Sequence, residues 1–179
     1  GVCEVFMAQL TYRDILINDS ELTPDDDNIF RVYSRLTDHE VRRFEAKHNI
    51  VLPVDFCSLL KAKNGGFVRD GAAHEEHSID EIYALSVDLS GERHLFAVQP
   101  LWQSLYADDH PDNPDDFQRS LIDAIGDPTR LFVFSGDGHS VYAFDFRSGD
   151  YGGVVEVEIE CGPFVVETCE EFRQLFRYW

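Results

Sequence analysis

The sequence is poor in basic residues. It contains 15 Lys and Arg against 34 Asp and Glu, which gives a formal net charge of −19 at pH 7. Proteins that bind nucleic acid or anionic lipid need clustered Lys and Arg on the binding face. The sequence also lacks any stretch of about 18 apolar residues, which a membrane-spanning helix requires. We therefore expect neither a nucleic acid nor a membrane as the partner.

Cysteine is scarce as well. The four cysteines, Cys3, Cys57, Cys161 and Cys169, show no C-x-x-C spacing, so they predict reduced thiols rather than a disulfide framework. Residues 1–6 lack the basic region and long apolar stretch of a secretory signal peptide. We expect a cytoplasmic protein, and the sequence leaves open whether Met7 is the true start.

The remaining composition is that of a globular protein. The 179 residues are 44% hydrophobic and 13% aromatic, enough to form a core without metal or disulfides. We expect a monomer or weak homo-oligomer when the protein is free. The large negative charge would attract a basic protein and speed its association, although acidity also serves solubility alone.

The first half of the chain predicts helices. Residues 8–18 fit a strand or a short helix, and residues 20–28 a loop. Thr37 and Glu40 form a capping box that opens a helix ending at Asn49. A second helix begins at Pro53 and stops at residues 64–66, Asn-Gly-Gly, which favour a left-handed C-cap. The apolar positions facing the core are Val41, Phe44, Phe56, Leu59 and Leu60.

The second half predicts mostly strands. Residues 79–87 and 92–98 resemble strands, residues 106–117 a long exposed loop, and residues 117–125 a helix ending at Gly126. Residues 131–134 and 141–144 flank a glycine-containing turn, which indicates a hairpin. Residues 154–160 alternate apolar and Glu positions, as in a strand with one buried face. Thr168 and Glu171 suggest a capping box for a terminal helix carrying Phe172, Leu175 and Phe176.

These elements predict an α+β fold with a single twisted, mainly antiparallel sheet packed against N-terminal and C-terminal helices. Three segments, taken together in this order, resemble the SUKH (Smi/Knr-like) superfamily. They are the helix pair of residues 36–66 with its Leu-Pro-Val-Asp-Phe motif, the hairpin of residues 133–149, and the ending, where a strand leads into residues 168–172. The resemblance covers roughly residues 35–178. It suggests a SUKH-like domain at 35–179 and an N-terminal extension at 1–34 whose role is open.

The resemblance also implies a function. The superfamily includes bacterial immunity proteins and yeast regulators of cell-wall synthesis, which act by binding. It suggests an immunity protein that occludes a cognate polymorphic toxin, without catalysis or a cofactor of its own. A basic nuclease toxin would suit the charge. A regulatory protein-interaction scaffold is the alternative, and a hydrolase with an unrecognised site is a third possibility.

No constellation in the sequence supports catalysis or a metal. His74 and His77 are three residues apart in a polar segment, whereas zinc-protease chemistry needs an i, i+4 pair on a helix. Asp137 and His139, with Ser140, fit a hairpin turn better than a nucleophilic triad. We predict that Cys57 is an inert thiol in the core. We also predict that Asp145 and Arg147 form a weak local ion pair. No G-x-G-x-x-G or Walker A motif is present.

Two acidic features are therefore the candidate partner-binding residues. Repulsion among like charges is tolerated where a basic partner later neutralises it, although each feature could also be a solvated face. The first is a proline-containing loop and the second an exposed stripe on one strand. The loop carries Asp108, Asp109, Asp112, Asp115 and Asp116, and the stripe carries Glu156, Glu158 and Glu160.

Overall fold

The chain folds into short helices and short β-strands. The computed structural model describes residues 12–22, 30, 33–86, 96–106, 113–177 and 179. The α-helices are α1 (Tyr12–Ile15), α2 (Asp38–His48), α3 (Val54–Ala62), α4 (Leu101–Tyr106) and α5 (Asp116–Ile125). Short 3₁₀ turns span Asp19–Glu21, Pro128–Arg130 and Phe172–Leu175. The strands are β1 (Gly66–Phe67), β2 (Glu81–Ile82), β3 (Gln99–Pro100), β4 (Leu131–Gly136), β5 (Ser140–Asp145), β6 (Val154–Glu158) and β7 (Phe164–Cys169).

The strands β3 to β7 form one antiparallel sheet in chain order, with β3 and β7 at its edges. The pair β1–β2 forms a separate two-stranded sheet, and β2 packs against β4. A short turn joins β4 and β5, in which Gly138 has φ +93°, whereas α4 and α5 lie between the paired strands β3 and β4. The predicted α+β class with a mainly antiparallel sheet is confirmed. None of the helices described is both long and apolar enough to span a bilayer.

The capping residues at the start of α2 act as predicted. The Thr37 backbone N–H donates to Glu40 Oε2 at 2.8 Å, and the Glu40 N–H donates to Thr37 Oγ1 at 3.3 Å. The helix ends at Asn49, which adopts the left-handed conformation with φ +51°. Asparagine tolerates this conformation better than most residues. The helix is thereby confined to the segment whose apolar face meets the sheet.

An aromatic cluster fills the interface between the helices and one face of the sheet. The ring centroid of Phe56 on α3 lies 4.8 Å from that of Phe144 and 5.1 Å from that of Phe172. Phe134 stacks on Phe144 at 4.4 Å. Each such pair contributes about 0.5–1.5 kcal/mol beyond the area it buries. Helix α3 and the C-terminal 3₁₀ turn are therefore anchored on the same aromatic side chains.

The opposite face of the sheet is also buried. Val155 and Val157 on β6 are no more than 1% exposed, and they alternate with the glutamates of the acidic stripe. Helix α4 packs against β4 and helix α5 against β7. Arg147, at the end of the β4–β5 hairpin, donates to the carbonyl oxygen of Ile125 at 2.7 Å and ties the end of α5 to the sheet.

The described part of the predicted N-terminal extension contributes to the core. Ile15 and Leu16 are buried. Leu16 forms an antiparallel β-bridge with Val68. On either side of it, the Ile17 N–H donates to the carbonyl oxygen of Phe67, and the Arg69 N–H donates to the carbonyl oxygen of Ile15. The predicted segment 8–18 therefore forms α1 followed by a β-bridge, with residues 8–11 outside the described part.

Two predictions on the helix ends were wrong. Thr168 does not open a helix: it lies within β7, because pairing with β6 extends to Cys169. The capping residues are instead Glu171 and Gln174, whose Oε1 accepts from the Glu171 N–H at 2.8 Å, and they open a 3₁₀ turn. Helix α3 ends at Ala62 with Lys63 extended, so Asn64 is not a left-handed C-cap.

The region between the helices and the hairpins also differs from the prediction. Of the predicted strand 79–87, only Glu81–Ile82 is strand, and Ala84 forms a parallel bridge with Ala97. Residues 87–95 lie outside the described part. The predicted exposed loop 106–117 begins at the end of α4 and runs into α5, which starts at Asp116; its residues 107–112 also lie outside the described part.

Candidate partner-binding surface

Two residues of the acidic stripe lie on β6, next to the edge strand β7, but the strand ends at Glu158 and Glu160 lies in the turn that follows, so the predicted strand 154–160 is shorter than expected. Strand β6 alternates as predicted, with Glu156 and Glu158 half-buried on the face opposite Val155 and Val157. In the register of β6 and β7, Glu156 lies opposite Val166 and Glu158 opposite Phe164. Cross-strand partners share a face. The two glutamates therefore lie beside two apolar side chains of the edge strand.

Those apolar side chains are exposed. Phe164 is 50% and Val166 46% exposed, and β7 pairs with β6 but with no other strand among the described residues. The outer edge of such a strand presents backbone N–H and C=O groups that another chain can pair with. Sequence reasoning missed both residues, because Val165 and Val166 are adjacent and an unbroken apolar run does not show which side faces solvent.

The glutamates of the stripe are partly engaged within the chain. Glu158 Oε1 accepts from the N–H groups of Glu160 and Cys161 at 3.1 and 3.4 Å, which holds the turn between β6 and β7. Glu160 Oε2 lies 2.6 Å from Nδ1 of His139, and this hydrogen bond raises the pKa of the imidazole. Burial, followed by the charge of Glu156, raises the pKa of Tyr142 to about 12. The stripe thus combines a structural role with negative charge at the surface.

The described residues of the acidic loop lie at the start of α5. Asp115 is the N-cap, and its Oδ1 accepts from the Gln118 N–H at 2.8 Å. Asp116 is fully exposed, with its nearest cation at 3.7 Å on Arg119. Phe117 beside them is 57% exposed. The structure therefore places the described part of the loop and the stripe on different elements; Asp108, Asp109 and Asp112 lie outside the described residues.

The segment that carries His74 and His77 packs against the rest of the protein. The His77 ring meets that of Tyr142 edge-on at 6.1 Å, and burial lowers the pKa of His77. Glu75 forms an ion pair with Arg177 at 2.7 Å. Within the described ranges, no group of three or more His, Cys, Asp or Glu side chains is arranged to hold a metal ion.

The other residues considered for chemistry have structural roles in the described chain. Asp137 Oδ1 accepts from the N–H groups of His139 and Ser140 at 2.9 and 3.1 Å, which is the hydrogen bonding of a hairpin turn. Cys57 is buried, and burial raises the pKa of its thiol to about 12. A thiol with that pKa is protonated near neutral pH and a poor nucleophile.

The arrangement matches a known family. A family model described as the SMI1/KNR4 family (SUKH-1) matches residues 35–178. This span includes the capped helix pair α2–α3, the β4–β5 hairpin, the acidic stripe and the edge strand. Comparisons with curated proteins and with solved structures gave no match. Because the family model covers most of the sequence, the chain belongs to the SMI1/KNR4 family (SUKH-1).

Proposed function

We propose that this protein is a cytoplasmic immunity protein that binds a cognate bacterial toxin domain and neutralises it by occlusion, without catalysis of its own. Membership of the SUKH-1 family and the net charge of −19 support a role in binding a basic protein. The observation that carries the proposal is the pairing of exposed Phe164 and Val166 with the acidic stripe.

This surface has the composition of a protein-binding site. Interfaces place apolar and aromatic side chains at the centre and polar or charged ones at the rim. Phe164 and Val166 supply the apolar centre on an edge strand, and Glu156 and Glu158 lie beside them on β6. A partner strand could add to the edge through backbone hydrogen bonds. The acidic rim favours a toxin with a basic surface.

We expect a toxin gene beside this one, and the test is direct binding to the toxin domain that it encodes. We expect F164E and V166E to weaken binding by at least about tenfold, because hot-spot residues at an interface centre each contribute about 2 kcal/mol or more. The comparison variant is F117E, which makes the same change at the exposed start of α5. Binding constants from surface plasmon resonance and protection of growth would be measured for each variant.

Three results would contradict parts of the proposal. Loss of binding in F117E but not in the β7 variants would show that the partner binds at the acidic loop and not at β7. Failure of the neighbouring toxin domain to bind the unaltered protein would reject the immunity role and favour the scaffold alternative. Inactivation of the toxin by a small substoichiometric amount of this protein would show catalysis. In keeping with occlusion, alanine at His74, His77, Asp137 or His139 should leave protection intact.

A further inference from the structure

Two shallow clefts meet at the start of α3. One runs along residues 49–54 and is closed by Phe146 and residues 149–151. The other, of about 570 Å³, lies between the first turns of α3 and the C-terminal 3₁₀ turn. Pro53, Val54 and Tyr151 line both. We call the second one the Tyr151 cleft; its volume is sufficient for one long side chain.

The Tyr151 cleft has apolar walls open to solvent beside polar ones, the latter formed by Asp55, Ser58, Glu171 and Arg173. Val54 is 80% exposed, although the larger apolar side chains of the same helix are buried. Trp179 is 37% exposed, and its ring is held by Phe172 and Phe176, with centroids at 5.6 and 5.8 Å. Single exposed apolar residues are ordinary, but several around one cleft indicate a binding surface.

The hydroxyl of Tyr151 has no hydrogen-bond partner among the residues that the structure describes. Its ring packs on Phe144 and Phe146, with centroids at 6.2 and 5.8 Å. The phenolic oxygen is buried from solvent, and no described residue supplies it with a hydrogen-bond partner. A buried polar atom without a partner destabilises the protein. A ligand donor reaches this oxygen only when the side chains that cover it move apart, and it would then remove that cost.

An uncompensated carboxylate lies beside this hydroxyl. The oxygens of Asp55 accept from the backbone N–H groups of Phe56 and Arg173, both at 3.0 Å. No Lys or Arg side chain in the described part of the chain forms an ion pair with Asp55, since the guanidinium of Arg173 is paired with Glu171. The negative charge is therefore fixed in place without a cation to balance it.

These features are complementary to one kind of side chain. A guanidinium group is always charged, carries only donors, and has flat faces that stack on aromatic rings. The methylene stem of an arginine packs on apolar surface. Lysine would satisfy the charge, but its ammonium is a point charge without the planar fork of donors that could contact Asp55 and Tyr151 together. We propose that the Tyr151 cleft binds the side chain of an arginine presented by a protein partner, with its guanidinium at Asp55 and Tyr151 and its stem against Val54 and Trp179. This site does not depend on the partner being a toxin.

The probe is Nα-acetyl-L-arginine amide, titrated into the ¹⁵N-labelled protein at constant ionic strength. Its matched control is Nα-acetyl-L-citrulline amide, which has nearly the same shape but no charge. We expect saturable shifts of the backbone amides of residues 54–58, 151 and 171–173. Affinity for the citrulline compound should be at least about fivefold weaker, because charge-assisted hydrogen bonds are about twice as strong as neutral ones. Equal binding of the two, or no saturable shift in the cleft, would overturn the proposal.

Three variants locate the site. Y151F removes only the hydroxyl and should weaken arginine-amide binding by about threefold or more. V54K places a cation at the wall and should weaken it by about tenfold. F117K makes the same change in charge on α5 and should leave binding within about twofold. If F117K weakens binding as much as V54K, the attraction comes from the overall charge and the proposed site is wrong. Melting temperatures would confirm that each variant is folded.

Discussion

The side-chain amide of Asn64 mimics a strand partner for Leu85. Its Oδ1 accepts from the Leu85 N–H at 2.8 Å, and its Nδ2 donates to the Leu85 carbonyl oxygen at 3.0 Å. The same Nδ2 also donates to the carbonyl oxygen of Ser34 at 3.0 Å. One side chain after α3 thus holds two segments that are distant from it along the chain.

We expect Asn64→Val to lower the free energy of unfolding by roughly 2–4 kcal/mol, because it leaves the partly buried backbone groups of Leu85 unpaired. Asn64→Asp keeps the acceptor for the Leu85 N–H but loses both donors, so its effect should be smaller. Urea unfolding followed by circular dichroism measures both. A stability of the Val variant equal to that of the unaltered protein would show that these bonds contribute nothing.

Gly65 and Gly138 provide a matched pair for backbone strain. Both have positive φ, +83° and +93°. A Cβ at Gly65 would lie 2.7 Å from Cδ1 of Phe30 and 2.9 Å from the backbone nitrogen of Ala84, whereas at Gly138 it would meet nothing within 4 Å. Gly138→Ala should cost about 1 kcal/mol, and Gly65→Ala about 1–3 kcal/mol more. Thermal melts of the two variants check this, and equal melting temperatures would contradict it.

The ion pair between Asp145 and Arg147 is stronger than its spacing along the chain predicts. The guanidinium binds both carboxylate oxygens, at 2.9 and 2.7 Å, and the side chains are 16% and 28% exposed for Asp145 and Arg147. We expect Arg147→Met to destabilise the protein by about 1–3 kcal/mol, because it leaves a partly buried carboxylate unpaired and releases α5. A double-mutant cycle with Asp145→Asn separates the pair from the contact with Ile125. A coupling energy near zero would show that the ion pair contributes no more than a weak surface pair.

This pair also predicts acid sensitivity. Burial acts to raise the pKa of Asp145, but the hydrogen bonds from Arg147 outweigh it, and the net pKa is lowered. A carboxyl group whose pKa is lower in the folded state stabilises the fold above its unfolded pKa. That stability is lost as the pH falls through the folded value. The Arg147→Met variant should therefore lose less stability than the unaltered protein between about pH 5 and pH 2.

Folding should shift the pKa values of two histidines in opposite directions. The hydrogen bond that the His139 ring makes to the Glu160 carboxylate raises the pKa of His139, whereas burial lowers that of His77. The stabilisation from protonated His139 is present below its unfolded pKa and is lost as the pH rises through the folded value. That from neutral His77 is present above its unfolded pKa and is lost as the pH falls through the folded value. NMR titration of the ring protons measures both, and Glu160→Gln should lower the pKa of His139 alone.

The acidic residues should control the rate of association more than the rate of dissociation. Replacing Asp108, Asp109, Asp112, Asp115 and Asp116 with Asn should lower the on-rate for a basic toxin domain and flatten its salt dependence. Asn also keeps the cap at residue 115. The field of these charges extends about 30 Å at 0.01 M salt and about 8 Å at 0.15 M. Gln at Glu156, Glu158 and Glu160 is tested in parallel by surface plasmon resonance. Changes below about twofold in both sets would mean that the acidic surface only solubilises.

Local sequence predicted the elements whose stability is local. The Thr37–Glu40 capping box, the end of α2 at Asn49 and the glycine turn at 136–139 depend on residues within four positions of one another. Thr168 shows the limit of this reasoning. Its spacing to Glu171 fits a capping box, but pairing with β6 holds Thr168 in a strand, and no local pattern reports that competition.

The sequence by itself determined the α+β class, the family resemblance, the acidic charge and the alternation of β6, because composition and periodicity are properties of the chain alone. Only the tertiary structure decided which apolar residues remain exposed. Phe164, Val166 and Val54 differ from buried residues of the same types only in what packs over them. The same holds for Asn64, whose partners Ser34 and Leu85 lie 30 and 21 residues away. Exposure and long-range hydrogen bonding depend on neighbours that folding brings together, and no periodicity in the sequence records them.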